Sequence, residues 1–408
     1  MAIAQVGSSP QYTPEDYLDF AHTGPGTLAG RYLRRFWQPV FTGKDLVRRR
    51  ARPLEVMSER LTLYRGEGGE PHLLAFRCAH RGTQLSTGWV EGDNLRCFYH
   101  GWVYGPDGQC VEQPAEPEPF CNRIKIRSYP VQEYLGLIFA YLGEGDPPPM
   151  WSFPEFEGDG VIRVSGPLVW PCNYFNRIEN SLDHVHGAFV HRRRVGGYGL
   201  GEIPRVVGYE TEYGIKTIGL REGHVRMQHF HIPNLNYRTP WAAPNGQDPA
   251  AADPEGGVSA QLAWRVPVDD SSCTSYVVAI VPRSKSQSIR PESRDARPSA
   301  TETASAILRG ELAIEDTRGR MGSLTNIEDY VAQVGQGTIA NRSAEHLGRS
   351  DHLVVLLRNL LSREMRNLAE GRPLKQWSRP ASGEYEVSQI LSPGEEPDPA
   401  LLAPAGTA

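Results

Sequence analysis

Cysteine is scarce in this chain, with six among 408 residues, and so few thiols over that length cannot build a disulfide scaffold. Long apolar runs are missing as well: no stretch reaches the ~18 to 20 uninterrupted apolar residues of a membrane-crossing helix. An excess of basic charge is also absent. The formal net charge is -5, which offers no positive field to a phosphate backbone and argues against a nucleic-acid partner. The opening MAIAQVGSSPQYTPEDYLDF lacks a basic start followed by an apolar run, so no secretory signal is expected and the chain reads as cytoplasmic. In a reduced compartment, cysteines placed beside histidines point to metal binding or catalysis. With 39% hydrophobic residues, the chain is long enough to bury a sizeable core, and two domains are expected.

The patterning predicts an α+β protein. TPEDYLDFAH reads as a helical start with Thr13 as its cap. The stretches LTLYRG, PHLLAFRC, LRCFYHGWVYG and LGLIFAYLG are short β-type runs, and Pro106-Asp107-Gly108 predicts a turn within the third. Three consecutive prolines in GEGDPPPMWSFPEF mark a boundary, since they suit neither a sheet nor a helix interior. Beyond it, RVVGYETEYGIKTIGL, GHVRMQHFHI, AQLAWRVPV and CTSYVVAIVP are strand candidates. DHLVVLLRNLLSREMRNLAEG has helical spacing and a stop at Gly371 and Pro373. AAPNGQDPAAADPEGG and SKSQSIRPESRDARPSATETAS read as mobile loops, and SPGEEPDPALLAPAGTA as a disordered tail.

The segment CAHRGTQLSTGWVEGDNLRCFYHGWVYG places Cys78, His80, Cys97 and His100 in the pattern C-x-H-x16-C-x2-H. Two thiolates and two imidazoles suit a structural zinc ion, and a zinc-stabilised binding module is one reading. Common zinc sites, however, pair two cysteines in a knuckle and two histidines on a helix, whereas here each loop holds one of each. Such loops can send one cysteine to one iron and one histidine to the other, as a [2Fe-2S] centre with unequal irons needs. At these residues the sequence resembles the Rieske family. Electron-transport Rieske proteins carry an extra cysteine in each loop and a serine after the second His-Gly, where this chain has Thr83, Tyr99 and Trp102. The resemblance therefore implies fewer hydrogen bonds to the sulfurs and a potential in the lower part of the roughly -150 to +300 mV Rieske span. HRG and CFYHGWVY look like the oxygenase branch; Ala79, where many members have proline, is expected to alter loop stiffness and leave ligation unchanged.

A second constellation lies in CNYFNRIENSLDHVHGAFVH, where Asp183, His186 and His191 form D-x2-H-x4-H. Taken alone, the histidines could form a polar helix face. Periodicity does not choose the ligands, because His186 and His191 are five apart and an ideal helix would not put them on one face. His184 and His191 share a face but lie about 10 Å apart by helix rise. The segment, with Glu179-Asn180 ahead of it, resembles the mononuclear iron site of Rieske non-haem iron oxygenases, and that resemblance selects His186 and His191. A facial site needs a carboxylate to complete it while keeping positions open for O2. Two copies of IED, ending at Asp316 and Asp329, compete. The likeness of EDYVAQVGQGTIANRSAEHLGRSDHLVVLLRNLL to the C-terminal signature of phthalate-type oxygenases assigns Asp329, with Glu328 and Asp316 as rivals.

The resemblance spans most of the chain, from GRYLRRFWQPV to GRPLKQW, and carries further implications. It implies an N-terminal helical segment over 1–37, an all-β Rieske [2Fe-2S] domain over 38–145 and an α+β catalytic domain over 146–391, followed by the tail at 392–408. The catalytic domain would be of helix-grip type, an antiparallel sheet with helices. Asp183 would link a Rieske histidine of one subunit to an iron histidine of the next in a homotrimer, the metals of one subunit being too far apart for useful transfer. The implied activity uses O2, Fe(II) and electrons from a reductase or ferredoxin fed by NADH or NADPH. Its outcome would be hydroxylation or oxidative O-demethylation of an aromatic, carboxylated or methoxylated substrate. Within HRRRVGGYG, Arg192, Arg193 or Arg194 could meet a substrate carboxylate, although a solvated loop is the simpler reading. The contrasting reading is a Rieske-type electron carrier without oxygenase activity, which would need only the first motif and ~100 to 120 residues.

Overall fold

The computed structural model describes residues 12–158, 160–192, 202–242, 260–283, 299–317, 324–376, 388–391, 395–397 and 399–402. The first helix, α1 (Leu28–Leu33), is capped by Thr27, whose hydroxyl accepts the Gly30 N–H. The helix expected over TPEDYLDFAH is replaced by turns. Here the Asp16 carboxylate takes the Thr13 N–H at 2.7 Å, and the Asp19 carboxylate takes those of Ala21 and His22. Short acidic side chains thus compete with the helix ladder for backbone donors, and the segment is too short to recover the cost of nucleation.

Eleven short strands follow: β1 (Gln38–Thr42), β2 (Arg50–Val56), β3 (Glu59–Arg65), β4 (Pro71–Ala75), β5 (Trp89–Glu91), β6 (Asn94–Arg96), β7 (Val103–Tyr104), β8 (Cys110–Glu112), β9 (Ser128–Tyr129), β10 (Val131–Tyr134) and β11 (Leu137–Ala140). They form three sheets with orders β1-β11-β10, β2-β3-β4-β9 and β5-β6-β7-β8. The predicted turn joins β7 to β8, with the Gly105 N–H on Gln109 O at 2.9 Å and Gly108 at φ +82. A small core centred on Tyr64, Leu74, Leu85, Leu95 and Tyr104 encloses Cys78 and Cys97.

The three prolines lie in neither helix nor strand. The aromatics after them nevertheless pack inward: the Trp151 ring meets Phe139 at 5.4 Å and stacks on Trp264 at 5.7 Å. The main core therefore runs from β11 across this segment into the second half of the chain.

That half is built on β12 (Val161–Trp170), β13 (Arg205–Glu210), β14 (Gly214–Arg221), β15 (His224–His231), β16 (Leu235–Arg238), β17 (Trp241–Ala242), β18 (Ala260–Pro267), β19 (Cys273–Val281) and β20 (Ser388–Ile390). Together they make a nine-stranded sheet whose main path, β12-β19-β18-β16-β15-β14-β13, is antiparallel throughout. Among the described residues five helices accompany it: α2 (Tyr174–Leu182), α3 (His186–Val190), α4 (Ala300–Leu308), α5 (Leu324–Val334) and α6 (His352–Ala369). Along α6, Leu353, Leu357, Leu360, Leu361 and Met365 form one buried stripe, and Gly371 at φ +67 stops the helix as expected. No helix among the described residues is long and apolar enough to cross a membrane. An N-terminal β-sheet domain followed by an α+β domain is the fold expected from the sequence.

Two stretches differ from expectation. The second predicted loop ends in helix α4, started by a capping box in which Ser299 and Glu302 exchange hydrogen bonds; its residues 284–298 lie outside the described residues, as do 243–257 of the first loop. In the tail, Pro399–Leu402 makes a short turn, and Leu402 packs against a cluster of Ile218, Val225 and Met227, so part of the tail docks on the sheet.

Candidate metal centres and the catalytic pocket

The two loops carrying the first motif share one hydrogen-bonding plan. In the first, the Cys78 N–H meets Thr83 O at 2.8 Å and the Gly82 N–H meets Cys78 O at 2.9 Å. In the second, the Cys97 N–H meets Trp102 O at 2.8 Å and the Gly101 N–H meets Cys97 O at 3.1 Å. Gly82 and Gly101 occupy matching left-handed conformations, φ +73 and +74, which a side chain would resist. Both cysteines are buried and free, and the rings of His80 and His100 are 4.5 Å apart. Trp102 stacks flat on His80 at 4.6 Å. His80 Nδ1 is buried without a hydrogen-bond partner, a cost that a metal bond at that atom removes. Two buried thiols facing two imidazoles fit a [2Fe-2S] centre.

Tyr104 adds a contact that was not foreseen. Its hydroxyl oxygen accepts the Ala79 N–H at 3.1 Å and lies 3.1 Å from Cys78 Sγ. A cysteine that ligates iron is a thiolate with no proton to give, so toward a cluster-bound sulfur the Tyr104 hydroxyl would be the donor. One hydrogen bond to a cluster sulfur is thus present where the resemblance implied few.

The second constellation depends on broken helices. Helix α2 stops with Asp183 at its C-cap in an extended conformation, α3 begins at His186, and His191 sits at the C-cap of α3. That termination resolves the five-residue spacing, and α5 then brings Asp329 against both rings. One ligand atom each of His186, His191 and Asp329 lie within 4.8 Å of one another. The two Nε2 atoms approach Asp329 Oδ1, at 3.3 Å from His191 and 3.9 Å from His186. Each Nδ1 is engaged elsewhere: that of His191 on Glu328 Oε2 at 3.0 Å, and that of His186 on Asp183 O at 2.5 Å. This fixes the tautomer that turns Nε2 inward. Asp329 Oδ1 is buried with no hydrogen-bond partner among the described residues, so the donor set fits a facial metal site of two histidines and one carboxylate. Burial pulls the His191 pKa down, but Asp329 and then Glu328 outweigh it and leave the ring raised.

The rivals are elsewhere. Glu328 grips the far side of His191. Asp316 is exposed and accepts the Ala313 N–H at 3.1 Å. His184 is buried against Thr217 at 2.8 Å, and burial takes its pKa down to about 3. Asp183 accepts the N–H groups of Val185 and His186 through Oδ1, while its Oδ2 stands 3.7 Å from His186 Nδ1.

Residues 36–131 match the family model for the Rieske [2Fe-2S] domain. Over 370 residues the chain is 30% identical to the 5,5'-dehydrodivanillate O-demethylase oxygenase subunit of Sphingobium sp., spanning 87% of this chain and 81% of that protein. It is 33% identical to the tert-butanol monooxygenase / tert-amyl alcohol desaturase oxygenase subunit of Aquincola tertiaricarbonis, spanning 88% and 78%. The chain belongs to the Rieske non-haem iron oxygenases. The fold agrees: the oxygenase in the reduced oxygenase–ferredoxin complex of carbazole 1,9a-dioxygenase superposes with a TM-score of 0.57 at 19% identity, covering 88% of this chain and 95% of that one.

In this Rieske oxygenase a cavity of about 240 Å³ separates the His186, His191 and Asp329 group from the sheet. Its sheet wall was not foreseen from the sequence. Arg226 and Gln228 on β15, Asn236 and Arg238 on β16, and Gln261 and Arg265 on β18 all line it. They occupy alternate positions, so Met227, Tyr237, Leu262 and Trp264 between them are buried on the other face. Period-two alternation in RMQHF and QLAWR was the available signal. Burial, and next the nearby Arg177, bring the Arg265 pKa down to about 9. Of the arginines in HRRRVGGYG, Arg192 is exposed, and Arg193 and Arg194 lie outside the described residues.

Proposed function

We propose that the chain is the oxygenase component of a multicomponent system that hydroxylates or oxidatively O-demethylates an aromatic substrate. O2 is the oxidant, and a reductase or ferredoxin supplies electrons from NADH or NADPH. The convergence of His186, His191 and Asp329 on one point, apart from the cluster loops, carries this reading. An electron carrier would need only the loops. The ferredoxin complex of the carbazole enzyme supports a ferredoxin as donor, and the demethylase relative supports an aryl ether among the substrates.

In this reading Cys78, His80, Cys97 and His100 hold the [2Fe-2S] cluster, and His186, His191 and Asp329 hold Fe(II). The ferrous ion supplies O2 binding and one-electron chemistry that no side chain has. The protein orients it: Glu328 and the Asp183 carbonyl keep both Nδ1 atoms protonated, so each ring offers Nε2. In a homotrimer, Asp183 would link a cluster-ligating histidine of a neighbouring subunit to the iron-binding His186 of this one. Each turnover consumes one O2, two electrons and two protons. Hydroxylation gives the hydroxylated product and water; O-demethylation gives the phenol, formaldehyde and water. Residues 38–145 and 146–391 are the cluster and catalytic domains, and the cytoplasm is the compartment.

Purified protein is expected to be red-brown, with about two inorganic sulfides and about three irons per chain. His186→Ala, His191→Ala and Asp329→Ala should each lose one iron and all turnover while keeping the visible spectrum of the cluster. Asp316→Ala should keep all three irons. Stoichiometric zinc in a colourless protein would end this reading. Oxygen uptake measured against formaldehyde release then separates hydroxylation from demethylation.

A further inference from the structure

We infer that Cys110 and Cys121 are a reversible disulfide site: hydrogen peroxide joins the two thiols, and the bond braces the loop between them over the cluster loops. The inference concerns the Rieske domain and is independent of the substrate.

Elimination leaves this pair. Of the six cysteines, Cys78 and Cys97 belong to the cluster loops, while Cys172 and Cys273 lie in the main core, each at 0% exposure. Cys110 is buried as well, but Cys121 is half-buried and is the thiol of the pair that meets solvent. In a reduced compartment such a pair serves as a transient, sensing disulfide and not as a permanent staple.

The backbone holds the two residues together. Cys110 opens β8, and Cys121 opens the turn Cys121–Arg123. The Cys110 N–H meets Ile124 O at 2.9 Å, and the Ile124 N–H returns to Cys121 O at 3.0 Å. Gln109 Nε2 donates to the same Cys121 carbonyl at 2.7 Å. Cys121 packs against the small core that contains Cys110. Burial, and next the neighbouring Cys121 thiol, push the Cys110 pKa up to about 12. Bridging two thiols that already face each other needs side-chain rotation within a fixed frame.

The loop between them lies on the cluster loops. The Phe120 ring meets Trp102 edge-on at 5.6 Å, and Trp102 stacks on His80. Pro114 crowds Gly101, the residue after His100, so that a Cβ there would stand 3.3 Å from Pro114 Cγ. Gln113 joins the two ends by accepting the Phe120 N–H at 2.7 Å. Between them run Pro114, Pro117 and Pro119 in neither helix nor strand, so little besides these contacts resists local opening. A covalent tie at the base keeps this cover closed.

The chemistry balances with one peroxide. The Cys121 sulfur, as thiolate, attacks a peroxide oxygen; the O–O bond breaks, water leaves and a sulfenic acid remains. The Cys110 sulfur then attacks the Cys121 sulfur, the S–S bond forms, the S–O bond breaks, and a second water leaves with the Cys110 proton. Two thiols have then given two electrons and two protons to one peroxide. A small-molecule dithiol reverses the step by exchange and becomes the disulfide itself.

The test uses the cluster-loaded protein, first reduced with dithiothreitol and desalted, then exposed to hydrogen peroxide that catalase afterwards removes. Peptide mass spectrometry is expected to show Cys110 joined to Cys121, and dithiothreitol to free both. A chelator should bleach the oxidised protein at least about threefold more slowly than the reduced protein. Cys121→Ser should bleach at one rate under both treatments, with Cys110→Ala carrying the comparison if the first variant loses its cluster. Oxidation of Cys121 to a sulfinic acid with Cys110 still free, or a bond between the two that leaves bleaching unchanged, would overturn the inference. Peroxide-dependent slowing that persists in Cys121→Ser would overturn it as well.

Discussion

The Glu328 carboxylate meets His191 Nδ1 at 3.0 Å, from the helical position directly before Asp329, whose Oδ1 faces Nε2 of the same ring at 3.3 Å. Successive residues on a helix point about 100° apart, so neighbouring carboxylates on α5 take the two nitrogens of one imidazole. Glu328 is fully enclosed, with a side-chain exposure of 0%, and its work is done through His191.

Glu328→Gln keeps an acceptor for the Nδ1 proton and should leave iron binding near that of the parent. Glu328→Leu removes it, and the iron dissociation constant should rise about 10- to 100-fold. Competition with a chelator, read against the unchanged cluster spectrum, measures this. Equal affinity in the Leu variant would show that the ring is held by packing alone.

Tyr104→Phe deletes one hydroxyl and its bond to Cys78 Sγ. A sulfur hydrogen bond stabilises the more negative, reduced cluster. Its loss should lower the potential by tens of millivolts, on the basis of about 1 kcal/mol per bond and 59 mV per tenfold for one electron. Spectroelectrochemical titration gives the number, and an unchanged or higher potential would contradict the direction of that bond.

Asp183→Asn retains an oxygen for the Val185 and His186 N–H groups, so α3 should still form and both metals should still bind. The missing charge should show as a cluster that a reductase reduces but that substrate and O2 fail to reoxidise. Co-assembly with Cys97→Ser chains sharpens this, because such a chain offers an intact Asp183 and iron site to the intact cluster of an Asp183→Asn neighbour. Activity returning in the mixture of two inactive parents is the expected result; inactive mixed trimers would mean that electrons travel within one chain.

Glu210 ties β13 to α6 and the segment after it, through Arg363 at 2.5 Å and Lys375 at 3.0 Å. Burial alone would raise its pKa, but Arg363 and Lys375 outweigh it and hold the carboxyl below its ordinary value. A depressed carboxyl pKa adds stability that is complete above the unfolded value of about 4.3 and fades as pH falls through the lower folded value. Glu210→Gln should therefore be less stable at pH 7, by on the order of 1 kcal/mol or less because the partners are partly exposed. The gap should close as pH falls through the lower folded value. Thermal melts across that range decide it, and a gap independent of pH would assign the loss to packing.

The cluster loops were the most legible part of the chain, because both ligand types and their spacing sit within one short segment. Asp329 was less so: it and Asp316 follow the same Ile-Glu pair, and only the placement of α5 against α3 separates a buried, unbonded oxygen from an exposed local cap. The role of Glu328 was hidden because one-dimensional spacing does not show which nitrogen of a histidine a carboxylate meets. Strands β13, β14, β15, β18 and β19 were visible as strands and β16 was not, and alternation alone does not tell which of two faces borders a cavity, so the arginine wall went unseen. Helix α4 carried its S-x-x-E start in plain view, masked by the polar composition around it.

The alternation along β18 has a consequence for how such an enzyme changes over generations. Leu262, Trp264 and Val266 hold the sheet to the core, while Gln261, Ala263 and Arg265 line the cavity beside His186, His191 and Asp329. Inheritance of the fold and choice of substrate are thus written on interleaved letters of the same strand. A single codon change at an odd-numbered position from 261 to 265 can alter what is bound without disturbing what keeps the protein folded, so new diets are reachable here by small, separate steps.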